Sequence, residues 1–211
     1  SSLILRPMEY NIWRAPTDND RNIKHSWMAA RYDRAFSRAY KTECRIEEGA
    51  VHISSTAAVT AVVIQRIVNL EANWTIYPGG AVDVRLDVRR DTELPELPRF
   101  GLRMFLPQDM DQVSYYGIGP AESYIDKRRG GWHSEFTSDV KDMHEDYIRP
   151  QENGSHYDCS YVTVQGNQAA FSAAGEKSFS FNASVYTQEE LTQKAHNYEL
   201  VPSEYTVLCL D

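Results

Sequence analysis

Three short stretches of the 211-residue chain gather the side chains whose types and spacing could do chemistry. The first, Arg14-Ala15-Pro16-Thr17-Asp18-Asn19-Asp20, sets three Asx residues in a row after a proline. Such a run satisfies its own backbone in tight turns, and it can also present carboxylates and an amide to a polyol or a metal ion. It lacks the alternating ligands, the Gly and the late Glu of an EF-hand loop, which excludes calcium binding of that kind. The second stretch, Tyr115 to Asp126, contains Gly117-Ile118-Gly119-Pro120. No third Gly follows and no βαβ pattern surrounds it, which argues against nucleotide phosphate. It reads as a rigid turn carrying Glu122 and Tyr124. The third, Tyr147 to Gly154, ends in the turn dipeptide Asn153-Gly154. Glu152 and Asn153 there can face a sugar or fix the loop through backbone hydrogen bonds.

Other chemistries find little support. The histidines at 25, 52, 133, 144, 156 and 196 form no i,i+4 pair, and no cysteine stands at zinc-like spacing, so no metal site is expected. No Gly-x-Ser-x-Gly elbow is present for a nucleophilic serine. Lys plus Arg is 22 against 30 for Asp plus Glu, a formal charge of −8, which disfavours nucleic acid and anionic membrane as partners. No apolar run nears the ~18 residues of a membrane span. No basic leader with an apolar stretch opens the chain, and no initiator Met, which suggests an excised piece of a cytoplasmic protein. Cys44, Cys159 and Cys209 are odd in number and far apart, as free thiols would be.

The elements that must position these stretches are mostly strands. Val82, Val84, Leu86 and Val88 alternate with charges; Leu70, Ala72, Trp74 and Ile76 alternate before the turn Pro78-Gly79-Gly80. Together they predict an antiparallel hairpin. Arg99 to Leu106 repeats the pattern, and Val59 to Val68 reads as one β-branched strand. Further strands are predicted near 51–53, 112–117, 160–165, 169–173, 178–183 and 204–210. Helix is predicted over Ile23 to Tyr40 and over Gln188 to His196, the latter capped by Thr187 with Glu190 completing a capping box. Many short strands with little helix predict an all-β domain over residues 1–211, a large twisted antiparallel sandwich. Thr92 to Arg99, with Pro95 and Pro98, is the best linker candidate, read as a loop inside that domain.

In motif order the chain resembles the C-terminal, small-chain β-domain (domain 5) of the large bacterial β-galactosidases of glycoside hydrolase family 2. Trp13 to Asp20 matches the family's Trp-Arg-Ala-Pro-x-Asp-Asn-Asp without a gap. Gly117 to Lys127 matches Gly-x-Gly-Pro-x-Glu-x-Tyr-x-Asp-Arg, with Lys127 where the family has Arg and Arg128 or Arg129 as substitutes. Tyr147, Pro150, Glu152, Asn153 and Gly154 match a third motif, and Glu190-Leu191 with His196 a late one.

The resemblance implies a supersandwich shared with galactose mutarotases, and an enzyme hydrolysing terminal non-reducing β-D-galactose residues with retention. Its two carboxylates, ~5–5.5 Å apart, would belong to a (β/α)8 barrel absent from this chain. No catalytic residue is therefore expected here. Arg14, Asp18, Asn19, Asp20, Glu122, Tyr124, Glu152 and Asn153 are the substrate-proximal or barrel-interface candidates. The segment from Asp18 to Lys24 should lie exposed on the barrel-facing side. The implied partners are the barrel, other domains and further copies of a homo-oligomer; magnesium and sodium, if used, belong to the longer enzyme. The family domain continues beyond Asp211, so the uncharged run Tyr205 to Leu210 is expected to be an unpaired edge open to self-association. The rival class is a free-standing mutarotase-like epimerase or carbohydrate-binding module, pairing His133 or His156 with Glu122 or Glu152 as acid and base.

Overall fold

Period-two alternation dominates the chain, and the structure converts nearly all of it into sheet. The computed structural model describes residues 2–211 and bears out the all-β class: every strand pairing in both sheets is antiparallel. The strands are β1 (Glu9–Asn11), β2 (Phe36–Glu47), β3 (Ala50–Ala61), β4 (Ile64–Ile76), β5 (Val82–Arg90), β6 (Gly101–Pro107), β7 (Gln112–Gly119), β8 (Trp132–Asp139), β9 (Ser155–Gln165), β10 (Ala170–Ser184) and β11 (Tyr205–Leu210). Two short helices join them, α1 (Ile23–Ala29) and α2 (Gln188–Gln193). The chain divides into two compact units, Ser1–Arg21 with Arg99–Asp211, and Asn22–Pro98. One boundary follows the Asx run; the other falls between Pro98 and Arg99, inside the Thr92 to Arg99 stretch that is the linker candidate.

Residues Asn22–Pro98 hold a four-stranded sheet in the order β2-β3-β4-β5. The expected hairpin is present: Trp74 pairs with Val84 and Ile76 with Val82, and the Tyr77 carbonyl accepts from Gly80 N–H at 3.0 Å to close the turn. Two expectations fail. Val59 to Val68 is not one strand, because Val62 and Val63 form the β3–β4 turn, Val63 with a positive φ of 66°. β-branched side chains mark strand propensity but cannot show where a hairpin reverses. The helix expected over Ile23 to Tyr40 stops at Ala29; Arg31 takes a left-handed φ of 61°, and β2 begins at Phe36. All of β2 is exposed, so it shows no buried stripe to betray it. The α1 region is pinned within its own unit: Trp27 Nε1–H donates to the Glu96 carbonyl and Tyr32 O–H to the Pro95 carbonyl, both at 2.8 Å.

The other unit is a seven-stranded sheet in the order β1-β6-β11-β10-β9-β7-β8. Its core lies on one face, where Met104, Leu106, Tyr115, Val162, Phe181 and Leu208 are essentially buried. The intervening residues Phe105, Val207 and Cys209 pack on the opposite face, as alternation requires. The stretches expected as separate strands at 169–173 and 178–183 are one strand, β10, with register shifts between Ala174 and Phe179 and between Phe179 and Phe181. The expected edge at the C-terminal run is also corrected. β11 pairs with β10 on one side and with β6 on the other, and Thr206 to Cys209 are buried. Its uncharged composition reflects an interior position.

Thr187 caps α2 as expected, accepting from the Glu190 N–H at 3.2 Å. The Glu190 carboxylate does not close a capping box; it accepts from the Val201 N–H at 2.9 Å.

Candidate functional site

The three polar stretches lie far apart in sequence, yet they dock onto one another within the seven-stranded unit. The Glu152 N–H donates to the Ala15 carbonyl at 3.0 Å, and the Asp18 N–H to Gln151 Oε1 at 3.0 Å, joining the first stretch to the third. The Gly154 N–H donates to Glu122 Oε2 at 2.8 Å and the Ser123 N–H to the Ser155 carbonyl at 2.7 Å, joining the third to the second.

In the first stretch Asp20 is buried and organises the turn. It accepts two bonds from Arg14 Nη2, each 2.9 Å, and further bonds from the Thr17 N–H and hydroxyl. The expectation that the whole Asp18 to Lys24 segment is exposed therefore fails at Asp20, whose carboxylate is consumed internally. Asp18 and Asn19 are exposed.

Glu122 is the hub of the second stretch. Its side chain is 3% exposed and takes donors on both oxygens: Lys127 Nζ at 2.5 Å, the Tyr147 hydroxyl, the Tyr124 hydroxyl at 3.2 Å and the Gly154 N–H. Burial alone would raise its pKa, but Lys127, Tyr147 and Gly154 outweigh that and hold the carboxyl below its ordinary range. Lys127 itself fills the position that the resemblance gives to an arginine; Arg128 and Arg129 stay exposed. Burial, then the charges of Glu152 and Glu122, push the Tyr124 hydroxyl well above its ordinary pKa, so it is a donor and not a base. Gly154 must be glycine on two grounds: its φ is +70°, and a Cβ there would run into the Met143 carbonyl.

Glu152 is fully enclosed and accepts from Arg99 Nη1 at 2.9 Å. Burial pushes its carboxyl pKa up, against the pull of Arg99. Arg99 also forks onto the Asp211 carboxylate through Nε at 3.0 and 3.1 Å. Although burial works against its charge, Asp211 and Glu152 hold the guanidinium protonated. Asn153 is a buried spacer: its Oδ1 accepts from the Glu145 N–H at 3.0 Å, its Nδ2 donates to the Gln151 carbonyl at 2.9 Å, and its own carbonyl accepts from Asn182 Nδ2.

Sequence reasoning missed Arg99, Gln151, Lys127 as a direct partner, Asn182 and Asp211. Lys127 and Gln151 stand inside the motif stretches; Arg99, Asn182 and Asp211 come to the junction from sequence far outside them, which no spacing reveals. The buried carboxylates of the junction, Asp20, Glu122 and Glu152, are each held by a cation. Among the described residues neither His133 nor His156 hydrogen-bonds to Glu122 or Glu152, although Glu122 is near enough to His156 to act on its charge. His156 is 2% exposed, packed against Tyr115 and Phe181, with Nδ1 at 3.3 Å from the Ile118 carbonyl; burial lowers its pKa to about 4. His133 faces Asp158 at 3.0 Å. Among the described residues no group of three or more His, Cys, Asp or Glu is placed to hold a metal ion, and no helix is long and apolar enough to cross a membrane.

Comparison with known proteins follows the same line. The family model described as beta galactosidase small chain matches residues 1–211. A β-galactosidase of Actinobacillus pleuropneumoniae is 45% identical over 210 residues, covering 100% of this chain and 20% of that protein. One of Staphylococcus xylosus is 35% identical over 95% of this chain and 20% of its own length. One of Halalkalibacterium halodurans is 29% identical over 98% of this chain and 21% of its own length. The chain thus spans about a fifth of the length of the curated relatives it matches.

Proposed function

Because the chain belongs to the β-galactosidase small-chain family, we propose that it serves as a positioning domain of a cytoplasmic bacterial β-galactosidase acting on terminal non-reducing β-D-galactose residues. The two catalytic carboxylates of that retaining hydrolase lie outside this chain, on a (β/α)8 barrel. The loop junction described above braces the edge of the barrel's pocket, with Asp18 and Asn19 as its outward groups. The observation that carries this reading is the junction: Asp20, Glu122 and Glu152 are each neutralised by a partner at 2.9 Å or less. A retaining glycosidase needs a nucleophilic carboxylate and a second that exchanges protons, and carboxylates so bound serve neither purpose. They hold two loops against a third with little freedom, which suits a wall of a site that must keep its shape.

The test is complementation. The 211-residue chain alone should not hydrolyse a chromogenic β-galactoside. Supplied with the remaining part of a longer β-galactosidase lacking this region, it should restore turnover. Asp18→Ala with Asn19→Ala should raise KM or lower kcat in the restored enzyme without loosening the domain. Turnover by the chain alone, or full activity of the longer protein without it, would overturn the reading.

A further inference from the structure

We propose that β5, an edge of the four-stranded sheet, is a docking surface for a second copy of this chain, paired antiparallel about a twofold axis at Leu86. β5 closes the order β2-β3-β4-β5, and among the described residues no strand lies beyond it. A proline or a bulge often blunts such an edge. Val82–Arg90 has neither: its register against β4 runs unbroken from Arg90 opposite Val68 to Val82 opposite Ile76. β2, at the other edge, is interrupted by a register shift between Ala39 and Lys41.

The hydrogen-bonding phase of the β5 edge is fixed by its ladder. At the two ends of that ladder the Asp91 N–H donates to the Ile67 carbonyl at 3.0 Å and the Tyr77 N–H to the Ala81 carbonyl at 2.9 Å. Amide direction alternates along a strand, so Asp83, Arg85, Asp87 and Arg89 turn their N–H and C=O groups to β4. Val82, Val84, Leu86, Val88 and Arg90 turn theirs outward. In an antiparallel pair of β5 strands these outward residues must stand opposite one another, and an axis at Leu86 satisfies that along the whole strand, Val82 opposite Arg90.

The side chains choose the same register. Reading outward from Leu86, Arg85 mirrors Asp87, Val84 mirrors Val88 and Asp83 mirrors Arg89. The strand is a palindrome in apolar character and an inverted one in charge. With the axis at Leu86, Asp83 faces Arg89 of the second copy and Asp87 faces its Arg85, in the closer, non-hydrogen-bonded pairs. On the opposite face Val84 meets Val88 and Leu86 meets its own counterpart. Val84 and Val88 are 40% and 39% exposed in one copy, so their pairing takes apolar surface out of water. An axis at Arg85 would set Asp83 against Asp87, and one at Asp87 would set Arg85 against Arg89; like charges directly opposite are destabilising.

Asp87 gives a second, independent sign. β4 places Glu71 directly opposite it, a like-charge pair. Its in-strand neighbour Arg85 is 3.7 Å away and 80% exposed. Arg85 of a second copy brings a cation to the open side of Asp87. Within one copy these surface pairs add little to the fold; between copies they set the register.

The experiment is sedimentation of the 211-residue chain over a concentration series, with residue-level amide exchange at its two extremes. The chain should form a reversible dimer with a Kd of roughly 10–1,000 µM, as a small interface gives. Exchange at Val84, Leu86 and Val88 should slow as concentration rises, while Arg85 and Asp87, already bonded to β4, should not change. Two variants invert the edge charge: Asp83→Lys with Asp87→Lys, and Arg85→Glu with Arg89→Glu. Each alone sets like charges opposite one another at every charged pair and should weaken its dimer at least about tenfold. Mixed in equal amounts they present opposite charges again and should associate to within about threefold of the parent, a rescue that misfolded variants would not give. The proposal is overturned if the chain stays monomeric up to roughly 1 mM. It also fails if the concentration-dependent protection falls on Thr42, Cys44 and Ile46 of β2, if either variant alone dimerises like the parent, or if the mixture stays monomeric.

Discussion

The two units of this chain are both antiparallel sheet, yet they treat charge in opposite ways. In the seven-stranded unit charged groups go inside and are paired. Arg99 sits between Glu152 and Asp211, Arg103 between Glu9 and Glu189, and Glu122 under Lys127; the side chains of Arg99 and Arg103 are only 8% exposed. In the four-stranded unit charges line the strands at the surface. Arg85 and Asp87 stand 3.7 Å apart at 80% and 53% exposure, and Lys41 and Glu43 pair at 66% and 67%. Buried pairs cost desolvation, and they return geometry rather than net stability. Surface pairs along one strand contribute little beyond solubility. The difference shows where this molecule needs shape: the loops that carry the motifs are all in the unit with interior charge.

That contrast can be broken or sharpened by substitution. The largest effect should come from Arg99→Met, which leaves Glu152 and Asp211 buried without their cation and should cost about 3–5 kcal/mol. Urea denaturation measures the loss. Residue-level amide exchange should place it in β6 and β11, and equal loss of protection in β3 and β4 would break the comparison.

Next comes pH. Below 6.5 the unfolded chain protonates His156, whereas the folded chain refuses that proton until about pH 4. Unfolding therefore takes up a proton in this window, and stability should fall by about 3 kcal/mol as pH drops through it. Glu122 acts in the same direction: its folded pKa is lowered, so its contribution is present above the ordinary carboxylate range and lost on acidification. His156→Phe keeps an aromatic ring between Tyr115 and Phe181 and should flatten the slope between pH 6.5 and 4, as read from urea midpoints; an unaltered slope would remove His156 as its source.

Gly154→Ala should cost about 1–3 kcal/mol, since it forces a left-handed backbone and a clash with the Met143 carbonyl; thermal melts of the chain report it. The smallest effect should be Arg85→Ala, within about 0.5 kcal/mol of the parent by the same melts. A larger change there would mean that surface charge matters in the four-stranded unit after all.

How much of this was legible beforehand depended on whether a residue's reason lay nearby in sequence. The β4–β5 hairpin was readable because both strands alternate and the Gly79-Gly80 turn sits between them. The α2 cap was readable because Thr187 and the Glu190 N–H are three residues apart. β2 was not, since its exposure leaves no apolar stripe, and neither was the turn at Val62-Val63, where residue type opposes the conformation adopted. Of the site candidates, the structure brings all three motifs to one junction. It spends Asp20, Glu122, Glu152 and Asn153 on holding that junction and leaves Asp18 and Asn19 outward. Arg99 was invisible because its partners lie 53 and 112 positions away along the chain.

The place of β11 has a consequence for how this chain is made. β2 to β5 pair only with sequence neighbours, so they can close as soon as a ribosome has released them. The seven-stranded sheet cannot. β6 must wait for β11 on its β10 side, and Tyr205 to Leu210 emerge about a hundred residues later. Until then β6 and β10 each present an open row of amide and carbonyl groups to the crowded interior of the cell. Between the release of β6 and the release of β11 the four-stranded sheet is complete and the seven-stranded one is not. Slowing elongation over the β10–β11 stretch would lengthen that exposure and call for chaperone cover.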